Sequence, residues 1–312
     1  MQPVTNRVTN QSASSHIPVL VKEVLEYLQP QPGKFFIDGT FGGGGHARAI
    51  LEKVGAEGKL LVIDWEEAAI LKNCNGFGKN HPEMVCVNDN YARLPDILQQ
   101  RHLPKADGLL LDLGFSSDQI EASGKGFSFK RDEVLTMTYS EESIPVYKLL
   151  AEISEEELAR IIKEFGEERY ARPIARAIIE YRKNRKSIMT SKELADIIVS
   201  SVPKSYERGR IHPATRTFQA LRIYANHELE NLKTILEHLS TILKPGGRIV
   251  IISFHSLEDR VVKRYFRDLA KAGKATILTK KPVVASEREI QANPRARSAK
   301  LRAITIHEPS NQ

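Results

Sequence analysis

The chain alternates between short apolar runs and segments whose apolar positions recur at helical spacing. Seven runs rich in Ile, Val and Leu have the character of buried strands: KFFIDG, KLLVIDW, EMVCVND, GLLLDLG, RIVIISF, ATILTK and LRAITIHE. Helical patterns at 45–54, 66–74 and 94–101 separate the first four runs. Because strands that alternate with helices are typical of βαβ units, the pattern predicts an α/β fold with a parallel sheet. The last two runs have no clear helix between them, which predicts an antiparallel edge.

The alternation stops after the sequence LDLGFSS. From about 121 to 214 the pattern predicts loops and helices and no convincing strand. The segments Ser154–Glu157 and Thr190–Glu193 have the spacing of a capping box, in which two side chains cap the first turn of a helix. Apolar residues at helical spacing follow both segments, so each is expected to begin a helix.

These patterns predict the domain organisation. Residues 16–120 and 215–312 are expected to form the α/β domain, with residues 121–214 inserted into it as a helical domain. A long helix is expected near 215–243, where the sequence KPGG ends it. Residues 1–15 are polar and lack the apolar centre of a secretory signal, so we expect a disordered tail there.

Composition excludes several classes of protein. Of the 312 residues, 41% are hydrophobic and 27% are charged, as in ordinary globular proteins with a real core. No apolar run approaches the roughly 18 residues that a membrane span needs, so we expect no membrane helix and a cytoplasmic location. The two cysteines, Cys74 and Cys86, form no C-x-x-C pair, so we expect reduced thiols and no metal site.

The net charge of +7 is compatible with a polyanionic partner, and its distribution says more than its size. Basic residues concentrate at Lys204–Arg222 and Lys280–Arg302, where Pro together with Gly or Asn predicts loops. One such cluster is as compatible with solvated surface as with ligand binding. Two clusters that flank one α/β core favour a nucleic acid.

The sequence FFIDGTFGGGGHARAI places a glycine-rich turn between the first strand and a helix. Gly42, Gly44 and Ala47 fit the dinucleotide pattern G-x-G-x-x-G/A, and no G-K-[ST] follows, which argues against a triphosphate loop. Asp64 ends the next strand 20 residues after Gly44, where an acid accepts hydrogen bonds from ribose hydroxyls. The turn therefore indicates a nucleoside cofactor, but it does not separate NAD from S-adenosylmethionine.

An acidic residue lies at or just past the end of each of the first four strands: Asp38, Asp64, Asp89 and Asp112. In a parallel sheet these ends converge on the ligand crevice. A pyrophosphate would be repelled there by on the order of a few kcal/mol, whereas the sulfonium and ammonium of S-adenosylmethionine would be attracted. Some of these residues could instead cap the following helices, Asp89 above all.

Seven motifs, in order from about His16 to Arg302, resemble one family: HIPVLVKEVLEYL, IDGTFGGGGHARAIL, LLLDLGFSSDQI, GKGFSF, HPATRTFQALRI, GGRIVIISFHSLEDRVVK and NPRARSAKLR. They are similar to the bacterial small-subunit ribosomal RNA cytosine-N4 methyltransferases, the RsmH/MraW family. The resemblance implies a Rossmann-like S-adenosylmethionine-dependent methyltransferase domain with an inserted helical domain for substrate recognition. It also implies methylation of N4 of a cytidine in 16S ribosomal RNA, with the RNA or a ribosomal particle as partner. The oligomeric state is left open.

The resemblance also implies cofactor-binding positions. By motif these are Gly44, Gly45, His46, Asp64, Tyr91, Asp112 and Gln119. His46 could instead be a helix N-terminal residue without a ligand. The chain departs from the family pattern where Gly43 and Trp65 replace frequent arginines, and where LTMTYS places Thr136 and Thr138 at positions that usually hold an Asp and an Arg.

The expected chemistry gives Asp112 a catalytic role. An exocyclic amine is a poor nucleophile, so the reaction needs the amine held in line with the methyl–sulfur bond and an acceptor for its N–H. A carboxylate is a standard acceptor from cytosine N4, and Asp112 could orient the amine, bind the cofactor, or do both. His255 is a second candidate, although it could equally position the next helix. Two other functions stay open at this point, a nicotinamide-dependent oxidoreductase and a non-catalytic RNA-binding assembly factor.

Overall fold

All seven predicted strands lie in a single sheet. They are β1 (Phe35–Asp38), β2 (Lys59–Asp64), β3 (Glu83–Asn88), β4 (Ala106–Asp112), β5 (Leu243–Ser253), β6 (Ala275–Ile277) and β7 (Lys300–Ile306). The structure is a computed structural model that describes residues 17–74, 83–114, 124–140, 143–185, 187–208 and 211–308. The predicted tail of residues 1–15 and the predicted site residue Gln119 lie outside these ranges.

The strands are arranged in the order β3-β2-β1-β4-β5-β7-β6. The first five are parallel, whereas β7 runs antiparallel to both β5 and β6. The predicted antiparallel edge is therefore confirmed, with β7 inserted between β5 and β6. The order 3-2-1-4-5 is that of a doubly wound sheet, in which the carboxyl ends of neighbouring strands open onto a crevice. The predicted Rossmann-like α/β fold is confirmed.

Helices cover both faces of the sheet and form the segment between β4 and β5. They are α1 (Val21–Leu28), α2 (Gly45–Val54), α3 (Glu67–Asn73), α4 (Leu94–Gln100), α5 (Val146–Glu152), α6 (Glu155–Gly166), α7 (Ala171–Arg185), α8 (Ser191–Ser201), α9 (Ala214–Ala225), α10 (Glu228–Glu237), α11 (Leu239–Ile242), α12 (Ser256–Lys271) and α13 (Glu287–Ala292). Short 3₁₀ turns occur at Tyr91–Arg93, Lys204–Arg208 and Pro294–Ser298. Within the described ranges, none of these helices has the length and apolar character that a bilayer crossing requires.

Alternate residues of the central strands pack on opposite faces, as the strand period of two dictates. On one face Ile37 and Leu109 pack with residues of α4, α10 and α12. On the other face Phe36 and Leu110 pack with residues of α1 and α2. Burial on both faces explains why the strand sequences are continuous apolar runs rather than alternating ones.

The segment between β4 and β5 has a buried cluster of its own. Leu158, Ile174 and Leu194, from α6, α7 and α8, pack together with residues of α9. The capping predicted at Ser154 is present in part, since its side chain accepts from the N–H of Glu157. The capping box at Thr190 is complete, with side-chain to backbone bonds in both directions. These contacts support the predicted helical insert, and its boundaries stay a prediction.

The single long helix predicted near 215–243 is wrong. The chain forms α9, α10 and α11 instead, because His227 adopts a left-handed φ of 51° between α9 and α10. The helix end predicted at KPGG is confirmed to within two residues, since α11 ends at Ile242, although β5 already begins at Leu243. A left-handed residue breaks the helix, and the residue here is not the Gly that would signal it.

Asn226, just before this break, fastens the segment at 137–139 to the α/β body. Its amide nitrogen donates to the carbonyl of Met137 at 2.8 Å, and its amide oxygen accepts from the N–H of Tyr139 at 3.0 Å. The side chain of Asn226 is fully buried. Both backbone groups at 137–139 therefore depend on this side chain for their hydrogen bonds.

The expectation of reduced thiols is also wrong for this structure. Cys74 follows the last residue of α3, Cys86 lies in β3, and their sulfurs form a disulfide with the two Cα atoms 6.6 Å apart. The spacing of the two cysteines in the sequence does not predict this disulfide. It forms because α3 packs beside β3, which brings together residues 12 positions apart.

The two ends of the described chain meet at the first helix. The N–H of Leu20 donates to the carboxylate of Glu289 at 2.7 Å, and the amide of Asn293 donates to the carbonyl of Ile17 at 2.9 Å. Pro18, which lies between these bonds, packs on Gly45 so closely that a Cβ on the glycine would lie 2.7 Å from the proline ring. Glycine at position 45 thus allows the start of the chain to lie against α2.

Replacing Asn226 with Ala should lower the free energy of unfolding by about 2–4 kcal/mol, since it leaves a buried N–H and a buried carbonyl unpaired. Urea unfolding measures this change. Asn184→Ala is the matched control, because Asn184 is exposed on α7 and its loss should change stability by less than about 0.5 kcal/mol. Equal stability of the two variants would show that Asn226 does not fasten the segment.

Candidate active site

An open cavity lies at the carboxyl ends of β1, β2 and β4. Its walls come from three parts of the chain, namely the glycine turn, the strand ends with their following loops, and helices beyond the insert. The lining residues are Pro18, Gly39, Thr40, Phe41, Gly42, Gly43, Gly45, His46, Asp64, Trp65, Tyr91, Asp112, Leu113, Gly114, Tyr139, Glu228, Asn231, Leu232 and Glu258. This is the place where a doubly wound fold binds its ligand.

The glycine turn is held open by Asp64. One carboxylate oxygen accepts from the N–H of Gly42 at 2.7 Å, and the other accepts from the N–H of Glu66 at 2.8 Å. Gly42 and Gly44 both have positive φ, 49° and 74°, which side chains rarely adopt. The shape of the turn therefore depends on the positive φ angles that glycine can adopt and on the carboxylate of Asp64 on the neighbouring strand.

Three carboxylates and one imidazole lie together below the turn. Burial raises the pKa of Asp38 to about 6, and Asp112 and Asp64 add to this against the opposing effects of His46 and the N–H of Thr40. Burial likewise raises the pKa of Asp64 to about 6, against the hydrogen bonds from Glu66 and Gly42. Negative charge in this cavity is thus costly for the unliganded protein.

His46 is the cationic partner of this cluster. Its Nε2 lies 3.3 Å from a carboxylate oxygen of Asp112. Burial alone lowers the pKa of His46, but Asp112 and Asp38 outweigh it and raise the pKa above its usual value. The Nδ1 atom of His46 and one carboxylate oxygen of Asp38 are buried without a hydrogen-bond partner among the described residues. Such unpartnered buried atoms are expected where a ligand completes the bonding.

The carboxylate of Asp112 is fixed in position. The backbone N–H of Asp112 donates to the hydroxyl of Thr40 at 2.6 Å, and the second oxygen of the Asp112 carboxylate accepts from the N–H of Gly114 at 3.1 Å. A Cβ at Gly114 would lie 2.5 Å from the ring of Phe254 and 3.0 Å from that same oxygen. Gly114 thus leaves the room that Asp112 needs at the cavity wall.

Aromatic side chains form the wall opposite His46. The ring of Tyr139 lies 5.6 Å from that of Trp65 and stacks on Phe127 at 5.4 Å. Its hydroxyl donates to Glu228 at 3.2 Å. Trp65 and the LTMTYS segment are both departures from the family pattern, and here they meet in one contact. Thr138 of that segment is buried rather than presented to a substrate.

A candidate metal cluster borders the same wall, but its donors are already used. Ligand atoms of Glu228, His255 and Glu258 lie within 4.8 Å of one another. Arg222 donates to both carboxylate oxygens of Glu228, at 2.8 and 3.0 Å. Glu258 accepts from the N–H of Phe254 and pairs with His255 in a capping box at the start of α12. An arginine bound to one ligand makes this a hydrogen-bonded network rather than a cation site.

The cavity contains most of the predicted site residues. Gly45, His46, Asp64, Tyr91 and Asp112 line it, and Gly44 precedes them in the turn. His255 does not line it and positions α12, which was the alternative reading of its role.

Asp89, the fourth strand-end acid, bonds to its own neighbours instead of facing this cavity. It accepts from the N–H of Asn90 at 2.7 Å and pairs with Arg93 at 3.2 Å. The alternative reading of Asp89 as a local cap therefore fits the structure better than a ligand role.

Sequence reasoning missed most of the other lining residues, among them Tyr139, Glu228, Asn231 and Glu258. Tyr139 was expected in the insert, and Glu228 and Asn231 in an unbroken helix. One signal in the sequence could have found Glu258. It lies three residues after His255, and H-x-x-E has the spacing of a capping box, which places Glu258 in the first turn of the helix that follows β5.

The two basic segments are not the loops that were predicted. Arg222 lies in α9 and Arg302 in β7, where Asp259 pairs with Arg302 at 2.7 Å. Both are largely buried, so they are not available to a nucleic acid. Arg297 in the second segment is exposed.

Comparison with known proteins agrees with this geometry. The model of the MraW methylase family matches residues 13–307. The protein named ribosomal RNA small subunit methyltransferase H from Thermotoga neapolitana is 47% identical over 298 residues, which covers 94% of this chain and 96% of that protein. The proteins of the same name from Syntrophotalea carbinolica and Afipia carboxidovorans are 44% and 43% identical over 306 residues, covering 93% and 94% of this chain and 97% and 90% of those proteins. The chain belongs to the MraW methylase family.

Proposed function

We propose that this protein transfers the methyl group of S-adenosylmethionine to N4 of a cytidine in small-subunit ribosomal RNA. The observation that carries the proposal is the group of carboxylates beside the glycine turn, in which Asp38 and Asp64 are buried and Asp64 and Asp112 line the cavity. A cation relieves the cost of this charge, and a pyrophosphate increases it. The names of the relatives supply the substrate class, small-subunit ribosomal RNA.

The residues present fit the cofactor. Each carboxylate oxygen of Asp64 accepts one backbone N–H and keeps a lone pair, so Asp64 can also accept from ribose hydroxyls. Trp65 and Tyr91 offer aromatic surface beside it, and Gly44, Gly45 and His46 border the other part of the cavity. S-adenosylmethionine, when bound, supplies a methyl group activated by a sulfonium. By motif we also assign Gln119 to this site, although it lies outside the described residues.

In this mechanism Asp112 orients the amine of the target base. Its carboxylate accepts from one N4–H, which aligns the nitrogen lone pair for attack and stabilises the positive charge that develops on N4. Transfer would form the bond between N4 and the methyl carbon as the methyl–sulfur bond breaks, with the electron pair of that bond staying on sulfur in the thioether product, and the proton that N4 loses would pass to the carboxylate of Asp112 and on to water. Thr40, Gly114 and His46 hold the carboxylate in place during the reaction. The target base must leave any stack to reach this cavity.

The two alternative functions lack such support. A nicotinamide cofactor would place its pyrophosphate against the carboxylates of Asp38 and Asp64. A purely RNA-binding factor would have no use for buried carboxylates with raised pKa values at a glycine turn. We infer that the enzyme acts in the cytoplasm on ribosomal RNA, either free or assembled into a particle.

Cofactor affinity should fall roughly 10- to 100-fold between pH 8 and pH 5. Asp38 and Asp64 have pKa values near 6 in the unliganded protein, and a bound cation favours their ionised forms, so protonation below pH 6 opposes binding. Protonation of His46 acts in the same direction. Calorimetry of S-adenosylmethionine binding at both pH values measures the change, and equal affinity at pH 5 and pH 8 would contradict the cluster's role.

The variant Asp38→Asn tests two effects of the buried charge separately, its effect on cofactor binding and its effect on the stability of the unliganded protein. At pH 8 it should weaken cofactor binding and flatten the pH dependence. It should also raise the melting temperature of the unliganded protein by a few degrees, because removing a buried charge with a raised pKa removes a cost of roughly 3 kcal/mol at most. A melting temperature that falls at pH 8 would mean that the charge of Asp38 stabilises the empty site.

Replacing Asp112 with Asn should lower turnover about 10²-fold or more, while cofactor affinity changes far less, because the amide keeps the size but loses the charge and half of the acceptor capacity. Single-turnover methyl transfer and cofactor calorimetry measure the two quantities. Asp89→Asn is the matched control, since this acid also ends a strand but does not line the cavity. An equal fall in turnover and affinity would make Asp112 chiefly a cofactor ligand.

A further inference from the structure

An exposed arginine on the helical insert lies over two tyrosine rings. The guanidinium carbon of Arg169 is 4.7 Å from the ring centroid of Tyr170 and 5.6 Å from that of Tyr206. Arg169 belongs to the turn between α6 and α7, and Tyr206 belongs to the 3₁₀ turn Lys204–Arg208. We call Arg169, Tyr170 and Tyr206 the arginine–tyrosine patch. Arg169 itself is exposed to solvent.

A buried carboxylate holds the patch rigid. One oxygen of Glu168 accepts from the hydroxyl of Tyr206 at 2.6 Å, and the other accepts from the N–H of Tyr170 at 2.8 Å. Glu168 itself is only 1% exposed. Arg216 of α9 donates to the carbonyl of Glu167 at 3.1 Å, which fixes the other side of the turn. These bonds fix Tyr206 and the backbone of the turn before any ligand arrives, so less entropy is lost on binding.

The buried carboxylate of Glu168 bonds to both tyrosine residues of the patch, and Arg169 and Arg172 are the exposed cations beside it. Among the described residues Arg169 has no ion-pair partner, in contrast to Arg160 of α6, which binds both Glu157 and Glu164. The first turn of α7 contains no acid and carries the exposed Arg172. Cations at the positive end of a helix oppose the helix dipole. Such an arrangement is relieved when an anion binds there.

The patch is connected to the active-site cavity through the residue that precedes Glu168. The carboxylate of Glu167 accepts from the hydroxyl of Ser256 at 2.5 Å and from Arg260 at 2.7 Å, both in α12. The first turn of α12 also contains Glu258, which lines the cavity. The patch and the cavity therefore border the same helix terminus, at the carboxyl end of the sheet.

We propose that the arginine–tyrosine patch binds an unpaired nucleotide of the RNA strand that carries the target cytidine. A base stacks on the open face of the guanidinium, and Arg169 together with Arg172 neutralises the adjacent phosphates. Proteins that recognise single-stranded RNA combine stacking surfaces with cations in this way. An acidic protein surface would need the charge but not the aromatic support, so the geometry favours RNA. This inference rests on the proposed function and assigns its substrate a second contact.

Three variants test it: Arg169→Ala, Arg169→Lys and the control Arg160→Ala. Binding to a fragment of small-subunit ribosomal RNA is followed by fluorescence anisotropy over a series of salt concentrations. Arg169→Ala should weaken binding at least about fivefold and reduce the slope of log affinity against log salt by about 0.7, the value of one phosphate contact on a single strand. Arg169→Lys should keep the slope and still bind more weakly, because an ammonium cannot replace planar stacking. Arg160→Ala should match the parent in both.

Methyl transfer supplies the second readout. Arg169→Ala should raise the KM for RNA while leaving kcat and S-adenosylmethionine affinity unchanged, since the patch lies outside the cavity. The proposal is overturned if Arg169→Ala equals Arg160→Ala in affinity and salt slope. It is also overturned if the variant is impaired only on ribosomal particles and binds the free RNA normally, because the partner is then a protein. A parent protein that binds RNA but transfers no methyl group would contradict the proposed function, and the binding comparison would still be decisive for the patch.

Discussion

Burial of two carboxylates, Asp38 and Asp64, next to Asp112 at one edge of a parallel sheet is the constraint on which the rest of the site depends. An ionised carboxylate away from water is stable only when hydrogen bonds and opposite charge replace its hydration. The backbone N–H groups of Thr40, Gly42 and Gly114 supply part of this replacement, and His46 supplies the charge. The shape of the glycine turn follows, because it must bring an N–H to Asp64. The raised pKa values of Asp38 and Asp64 show that the compensation is incomplete, which leaves a site that is matched to a cation.

The sequence alone predicted the parts of the structure whose apolar residues follow a regular local spacing. The strands were predictable because burial on both faces gives continuous apolar runs, and the strand-end acids were predictable because a parallel sheet collects those ends at one edge. The parts that failed depend on contacts between distant residues. No local signal distinguishes Asn226 from an ordinary helical residue, because its partners are more than 80 positions away. The disulfide between Cys74 and Cys86 was missed for the same reason, and the wall formed by Tyr139 became visible only once the insert folded back onto Trp65.

The helical insert is joined to the catalytic body by polar contacts near the site rather than by a large apolar interface alone. Asn226 bonds the segment that carries Tyr139, and Glu167 bonds the start of α12. Both contacts involve residues next to cavity walls, since Tyr139 and Glu258 each line the cavity. The contact between Trp65 and Tyr139 holds this wall by packing.

The closure of the chain ends around Pro18 has a consequence for how the protein becomes functional during synthesis. The strands that carry the three carboxylates are complete at Asp112, early in translation. The wall at Pro18, in contrast, is held by Glu289 and Asn293, which leave the ribosome almost 180 residues later. A nascent chain thus displays its acidic strand ends well before it can enclose a ligand.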